Sequence, residues 1–296
     1  LRSKSIFVII IRKSEACINI LYASTPLGVE KMSLLLNNLY IKYRINLLSH
    51  GALADALGDI YEEFIEEIFK DLPTINSWPI GSLEHLIVSN LFTYLSAYLP
   101  YIQAVSSSRK GIPPTINGGS PKTDVYLNIT LQGGQTLIVP LNVKQSTVPK
   151  VSFAEYDVNT IANVLGITDP NLIFLLEKHQ LDASAINFSI HEKTYLRTHL
   201  QPYARGLVRW CITLNPNQTS QDIRYPEYVI RFDLHHPKNN NPLGNQYKGV
   251  NIYDIDSYIN KIMLNNSGNP RIGGFGTGLS WTYATGSKGK KIQFKA

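Results

Sequence analysis

Two runs of alternating side chains, split by a pair of glycines, constrain this chain more than any other feature. Val125, Leu127, Ile129 and Leu131 alternate with Asp124, Tyr126, Asn128 and Thr130, and a second run places Leu137, Val139, Leu141 and Val143 on odd positions. Period two marks strands buried on one face. The intervening Gln132-Gly133-Gly134-Gln135 marks a hairpin. Both apolar sets must face one core, and directly opposed residues of an antiparallel pair share a face, so each pair of residue numbers must have an even sum. A three-residue loop with a left-handed glycine meets that requirement. Pro140 cannot donate to a ladder, and it predicts an edge or a bulge in the second strand.

The same register puts Asp124 across from Asn142 or Lys144, with all three on the non-core face. Phosphodiester hydrolysis needs a hard cation, held by oxygen, to stabilise the extra negative charge of its transition state. Asp124 can supply a charged oxygen ligand, Asn142 a neutral one, and the main chain at Val143 a third. Lys144 places a positive charge beside the attacking water. The set resembles the Asp…(Asp/Glu)-x-Lys arrangement of restriction-endonuclease-like nucleases, with Asn in place of the second acid. Taken alone, the spacing is also what the polar face of a half-exposed hairpin would show.

Around this unit the pattern is helical. Leu53, Leu57, Ile60, Phe64 and Ile68 recur at three and four residues, with Asp55, Asp59, Glu62, Glu63, Glu66 and Glu67 on the opposite face. Residues 83–99 read as a second helix and 109–120 as a Gly/Pro/Asn-rich loop. Ser152-Phe153-Ala154-Glu155 has the spacing of a capping box, with Gly166 closing that helix. Further helices are expected around 171–180 and 194–207, and strands at 209–215 and 228–234. The fold class is therefore α/β, a single domain over 32–296, with 1–31 an upstream segment outside it.

Charge narrows the partners. The formal net charge is +6, and from Arg271 onward there are five basic residues and no acid. A basic tail on a folded chain suits an anionic partner, above all nucleic acid. Two cysteines, Cys17 and Cys211, suit a reducing compartment, and no apolar run approaches the 18 residues of a membrane span. Gly286-Ser287-Lys288-Gly289-Lys290-Lys291 lacks the first Gly and the final Ser/Thr of a phosphate loop. The adjacent His235 and His236 read as an exposed turn.

Four longer blocks carry a resemblance. They are Gly118-Gly119-Ser120-Pro121-Lys122-Thr123-Asp124, Val139-Pro140-Leu141-Asn142-Val143-Lys144, Val151-Ser152-Phe153-Ala154-Glu155-Tyr156-Asp157-Val158, and Gly274-Phe275-Gly276-Thr277-Gly278-Leu279-Ser280-Trp281-Thr282-Tyr283-Ala284. In order and interval, from about residue 32 to 296, the chain resembles a family of type II restriction endonucleases. The resemblance implies a restriction-endonuclease-like mixed β-sheet flanked by helices. It also implies Mg²⁺-dependent cleavage of duplex DNA at CCGG, between the two cytosines, with Mn²⁺ as a substitute metal. Asp124, Asn142 and Lys144 would be catalytic, and Asp124, Asn142 and Val143 would hold the metal. A cognate cytosine methyltransferase, a monomeric or weakly dimeric state and a bacterial cytoplasm come with that reading. One departure is Gln145, which stands where the family has His. Another is the stretch 146–150, which has one Lys where the family is richly basic.

Glu62 is a candidate for a second metal or for support of the first, against the preferred reading of a solvated helix face. Ser152 is a candidate phosphate contact at a helix N-terminus. In the tail, Thr282, Thr285, Ser287 and Gln293 carry groups that read base edges, and Lys295 can donate to guanine. Lys288, Lys290 and Lys291 suit phosphates. The alternatives are a relative with a shifted target and a catalytically inactive DNA-binding relative of the same fold.

Overall fold

In the computed structural model, which describes residues 33–115, 119–217, 222–235, 247–265 and 274–296, the hairpin forms in the register that the alternation requires. Strands β2 (Val125–Leu131) and β3 (Thr136–Ser146) run antiparallel with Val125 opposite Leu141 and Thr130 opposite Thr136. The loop closes with the Leu131 amide donating to the Gln135 carbonyl at 2.8 Å, and Gly133 and Gly134 sit at φ 88° and 82°. Side chains other than glycine resist that region. The expectation for 1–31 lies outside the described residues, as do His236, Arg271 and the side chain of Thr285.

The described residues pack as two compact units, one within Leu1–Thr147 and Gln221–Asp254, the other within Val148–Ser220 and Ile255–Ala296. The first holds a five-stranded sheet in the order β1-β2-β3-β5-β6. Here β1 is Ile102–Ser108, β5 is Tyr228–Leu234 and β6 is Tyr247–Asp254. The β3–β5 pair is parallel and the other three are antiparallel. Helices α1 (Leu34–Lys42), α2 (His50–Ile68), α3 (Leu72–Ser77) and α4 (Leu83–Tyr94) belong to the same unit. Ile60, Phe64 and Ile68 of α2 join Leu127, Ile129, Val139, Leu141 and Phe232 in one buried core. The Tyr61 and Phe232 rings meet at 4.4 Å. Such a stripe on a 19-residue helix is what anchors α2 to the sheet.

Three expectations change in this unit. Pro140 lies in a central strand, not at an edge. A residue's N and O point to the same side of its strand, and the Pro140 carbonyl accepts from the Glu227 amide at 2.9 Å. The proline nitrogen therefore faces β5, whose pairing begins only one residue later at Leu141–Tyr228. The acidic face of α2 is not simply solvated either. Glu63 is buried, bonded by Lys42 and by the Tyr43 hydroxyl at 2.8 Å. Arg109 donates to Glu66 from its backbone amide at 3.0 Å and from Nε at 2.7 Å. The helix expected over 83–99 ends at Tyr94, with a short 3₁₀ turn at Leu99–Tyr101.

The second unit holds a three-stranded sheet in the order β4-β8-β7, with β4 Ser152–Tyr156, β7 Ser280–Thr282 and β8 Ile292–Lys295. Around it lie α5 (Val158–Leu165), α6 (Pro170–Asp182), α7 (Ile190–Thr213) and α8 (Ile255–Met263). The expected capping box at Ser152 is a strand instead. Asp157 is the cap, accepting from the Thr160 amide at 2.9 Å, and the helix does end at Gly166. The apolar stripe of α5 starts at Val158 and continues through Ile161 and Ala162, which fixes the start after Ser152. The strand expected at 209–215 is the end of α7, where Trp210, Cys211, Ile212 and Thr213 are all buried. A run buried all round has no period to separate helix from strand.

Candidate active site

The β2–β3 pairing delivers the cluster. Asp124, one residue before β2, donates its backbone amide to the Leu141 carbonyl at 2.9 Å, which fixes it beside the Asn142-Val143-Lys144 stretch of β3. Its Oδ2 accepts from the Val143 amide at 2.7 Å and from Lys144 Nζ at 3.2 Å. The Lys144 ammonium is also 3.2 Å from the Val143 carbonyl oxygen. The Asp124 and Lys144 side chains are 18% and 21% exposed, so the pair is partly withdrawn from water yet reachable. Asn142 is fully buried, with Nδ2 donating to the Lys122 carbonyl. That bond orients the amide and leaves its oxygen pointing elsewhere.

Asn142 Oδ1 is buried with no hydrogen-bond partner among the described residues, and so is Thr123 Oγ1 next to Asp124. Orphaned buried oxygens are costly and call for a partner such as a cation or ordered water. A carboxylate, an amide oxygen and the Val143 carbonyl on adjacent strands form an all-oxygen donor set suited to a hard divalent ion. Among the described residues no three His, Cys, Asp or Glu side chains gather as a metal centre.

Glu62 of α2 is partly buried and feels the charges of this cluster. Burial, then the Asp124 charge, push its carboxyl up to about 7, while Lys144 pulls the other way. Gln145, on the strand just after Lys144, donates to the Ala54 carbonyl of α2 at 3.4 Å. The remaining candidates lie in the second unit. Ser152 is exposed and pairs with Lys295 across β4 and β8. Thr282 Oγ1 donates to Gln293 Oε1 at 3.2 Å, and Ser287 Oγ donates to Glu155 at 3.0 Å. Lys288 lies 5.4 Å from the Tyr283 ring, while Lys290 and Lys291 are exposed. The polar face of the three-stranded sheet therefore joins Ser152 to the tail, and it adds Glu155, which the sequence had placed in a helix. The alternation of Ile292 and Phe294 with Gln293 and Lys295 is the signal for β8, but four residues are too few to read alone.

A mixed sheet flanked by helices, with an Asp beside one strand facing an Asn-x-Lys on the next, has the architecture of a restriction-endonuclease-like nuclease. The comparisons with known proteins agree. The family model for restriction endonuclease MspI matches residues 48–296. The type II restriction enzyme MspI of Moraxella sp. is 41% identical over 266 residues, covering 88% of this chain and 98% of that enzyme. The type II restriction enzyme BsuFI of Bacillus subtilis is 24% identical over 261 residues, covering 84% of this chain and 60% of that enzyme. The crystal structure of MspI bound to its cognate DNA superposes with a TM-score of 0.78 at 40% identity, covering 89% of this chain and 99% of the other. The chain belongs to the MspI family of type II restriction endonucleases.

Proposed function

We propose that this protein hydrolyses duplex DNA at CCGG, between the two cytosines, with Mg²⁺ as its cofactor and Mn²⁺ able to replace it. The observation that carries the chemistry is Asn142 Oδ1, buried and without a partner among the described residues, on the same strand stretch as Lys144, whose ammonium meets Asp124. The support for the target is the likeness to MspI over nearly the whole of that enzyme. Asp124, Asn142 and the Val143 carbonyl would hold the metal, which when bound stabilises negative charge on the transferring phosphate. The Val143 amide fixes the Asp124 carboxylate in its orientation. Lys144 keeps a positive charge beside Asp124, where it favours hydroxide over water and offsets charge developing on the phosphate. Glu62 gains and loses a proton near neutral pH at the margin of the cluster, and it supports the site in its ionised form.

In the second unit, Thr282, Thr285, Ser287, Gln293 and Lys295 read bases, while Lys288, Lys290, Lys291 and Ser152 hold the backbone. In the host, a cytosine methyltransferase of the same specificity protects the cell's own DNA. The protein works as a monomer or weak dimer in a bacterial cytoplasm. The described residues contain no helix long and apolar enough to cross a membrane. Digestion of a plasmid of known sequence with Mg²⁺, followed by sequencing of the ends, tests the proposal. Ends that all map to C^CGG support it. Ends at another sequence mean a shifted target, and intact plasmid bound by the protein means a relative without turnover.

A further inference from the structure

Glu155 is a carboxylate in a place that a DNA-facing surface would normally reserve for donors. It lies on β4 directly opposite Gln293 of β8, and Gln293 in turn lies opposite Thr282 of β7. These three side chains form one row across the sheet. Behind them, on the other face, Ala154, Phe294 and Trp281 are buried. Glu155 Oε1 accepts from Gln293 Nε2 at 2.7 Å, and Glu155 Oε2 accepts from Ser287 Oγ at 3.0 Å. At the far end of the row, Gln293 Oε1 accepts from the Thr282 hydroxyl at 3.2 Å.

We propose that Glu155 is a specificity-determining positioning residue, which fixes the Gln293 amide in one of its two orientations. A primary amide presents two N–H donors and an oxygen with two lone pairs. Glu155 takes one donor and Thr282 one lone pair, so one N–H and one lone pair are left side by side for a ligand. That pair suits a C·G step, because cytosine N4 donates and guanine O6 and N7 accept. Turning the amide through 180° would exchange the two and present each base with its own kind. A carboxylate only accepts, so it admits only the orientation with Nε2 toward it. Holding Ser287 by its second oxygen, Glu155 ties the 3₁₀ turn Thr285–Ser287 to the same row. The inference rests on the tail being the part that reads DNA.

The test is the ratio of kcat/KM on a CCGG duplex to kcat/KM on a duplex with one base pair changed. It is measured for the unaltered protein and for Glu155→Ala, Glu155→Gln, Gln293→Ala and the Glu155→Ala/Gln293→Ala double variant, with melting temperatures alongside. Glu155→Ala should reduce the ratio about tenfold, the discrimination that one bidentate contact commonly carries. Glu155→Gln, whose amide donates as well as accepts and so admits either orientation of Gln293, should also lower the ratio, by several-fold. The double variant should discriminate no worse than Gln293→Ala. A lower melting point shared by the variants would move rates on both duplexes together, not their ratio. If Glu155→Ala leaves the ratio intact while Gln293→Ala collapses it, Glu155 does not position the reader. Additive losses, or a Glu155→Gln that keeps the full ratio, would mean that the acceptor-only carboxylate does not act by fixing the Gln293 amide, and would overturn the proposal. If Gln293→Ala is itself without effect, the tail is not the reader, and the functional reading fails first.

Discussion

Acidification from pH 7 to pH 4 should weaken the second unit through His179. His179 sits near the end of α6 and is 1% exposed, with Nδ1 unpartnered among the described residues. The rings of Phe188, Phe275 and Trp281 stand edge-on to it, with centroids 6.3, 5.9 and 5.3 Å away. Burial pushes its pKa down to about 4, only partly offset by the Asp182 charge, against 6.5 for a free imidazole. The unfolded chain therefore binds this proton more readily than the folded one. The stability that a neutral His179 contributes is fully present above about pH 6.5 and is lost as pH falls toward 4. At 1.36 kcal/mol per pH unit the loss amounts to about 3 kcal/mol, or roughly 6 to 12 °C in melting temperature for a domain of 150–250 residues. His85, also lowered by burial, adds to the slope, while Glu62, held protonated near pH 7, works against it. The comparison with His179→Leu removes both from the difference. Thermal unfolding followed by circular dichroism at pH 7, 6, 5 and 4 should show the unaltered protein losing several degrees more than the variant. Parallel falls in the two proteins would refute the reasoning.

Asp124→Ala and Lys144→Ala should each abolish cleavage while leaving DNA binding within a few-fold, as a gel-shift beside a digestion would show, because these groups serve the transition state. With Glu62 ionising near pH 7, cleavage should rise between pH 6 and 8, and Glu62→Gln should flatten and lower that profile; a profile unchanged by the substitution would put Glu62 outside the chemistry. Lys290→Ala should weaken binding to all sequences alike and reduce the slope of log K against log salt by about one. Gly278→Ala should destabilise by about 3 kcal/mol or more in urea unfolding, because at φ 81° its new Cβ would press into the Ile262 backbone carbonyl.

The sequence was most legible where one residue's placement follows from its neighbours. The hairpin register, the clustering of Asp124 with the Asn142–Lys144 stretch, helix α2 and strand β5 all come from local periodicity. What it hid was long-range. Ser152 and Glu155 have capping-box spacing, and only pairing with β8, well over a hundred residues on, makes them strand. Strands β1 and β6 escaped for a different reason. Ile102-Gln-Ala-Val-Ser-Ser-Ser is short of large apolar residues, and Tyr247–Asp254 is interrupted by Gly249, because both lie at sheet edges and bury little. The fate of Glu63 depended on Lys42 and Arg109, neither of them within a helical turn of it.

The position of Pro140 also bears on how the chain avoids sticking to its own kind while it folds. Strand β3 gains its first neighbour across a three-residue loop, but its second, β5, arrives only after a detour of about eighty residues through the other unit. Closing the longer loop costs about 3 kcal/mol more than closing the shorter, so β1, β2 and β3 are expected to associate first and leave the β5-facing side of β3 bare. A bare strand is an invitation for another copy to add on. The proline nitrogen points to that side, where it removes a donor from the docking line and puts a ring in its place. The aggregation gatekeeper thus lies two residues before Asn142, on the strand that will carry the chemistry. Replacing it with valine should leave the finished enzyme little changed, yet lower the yield of refolding in proportion to protein concentration.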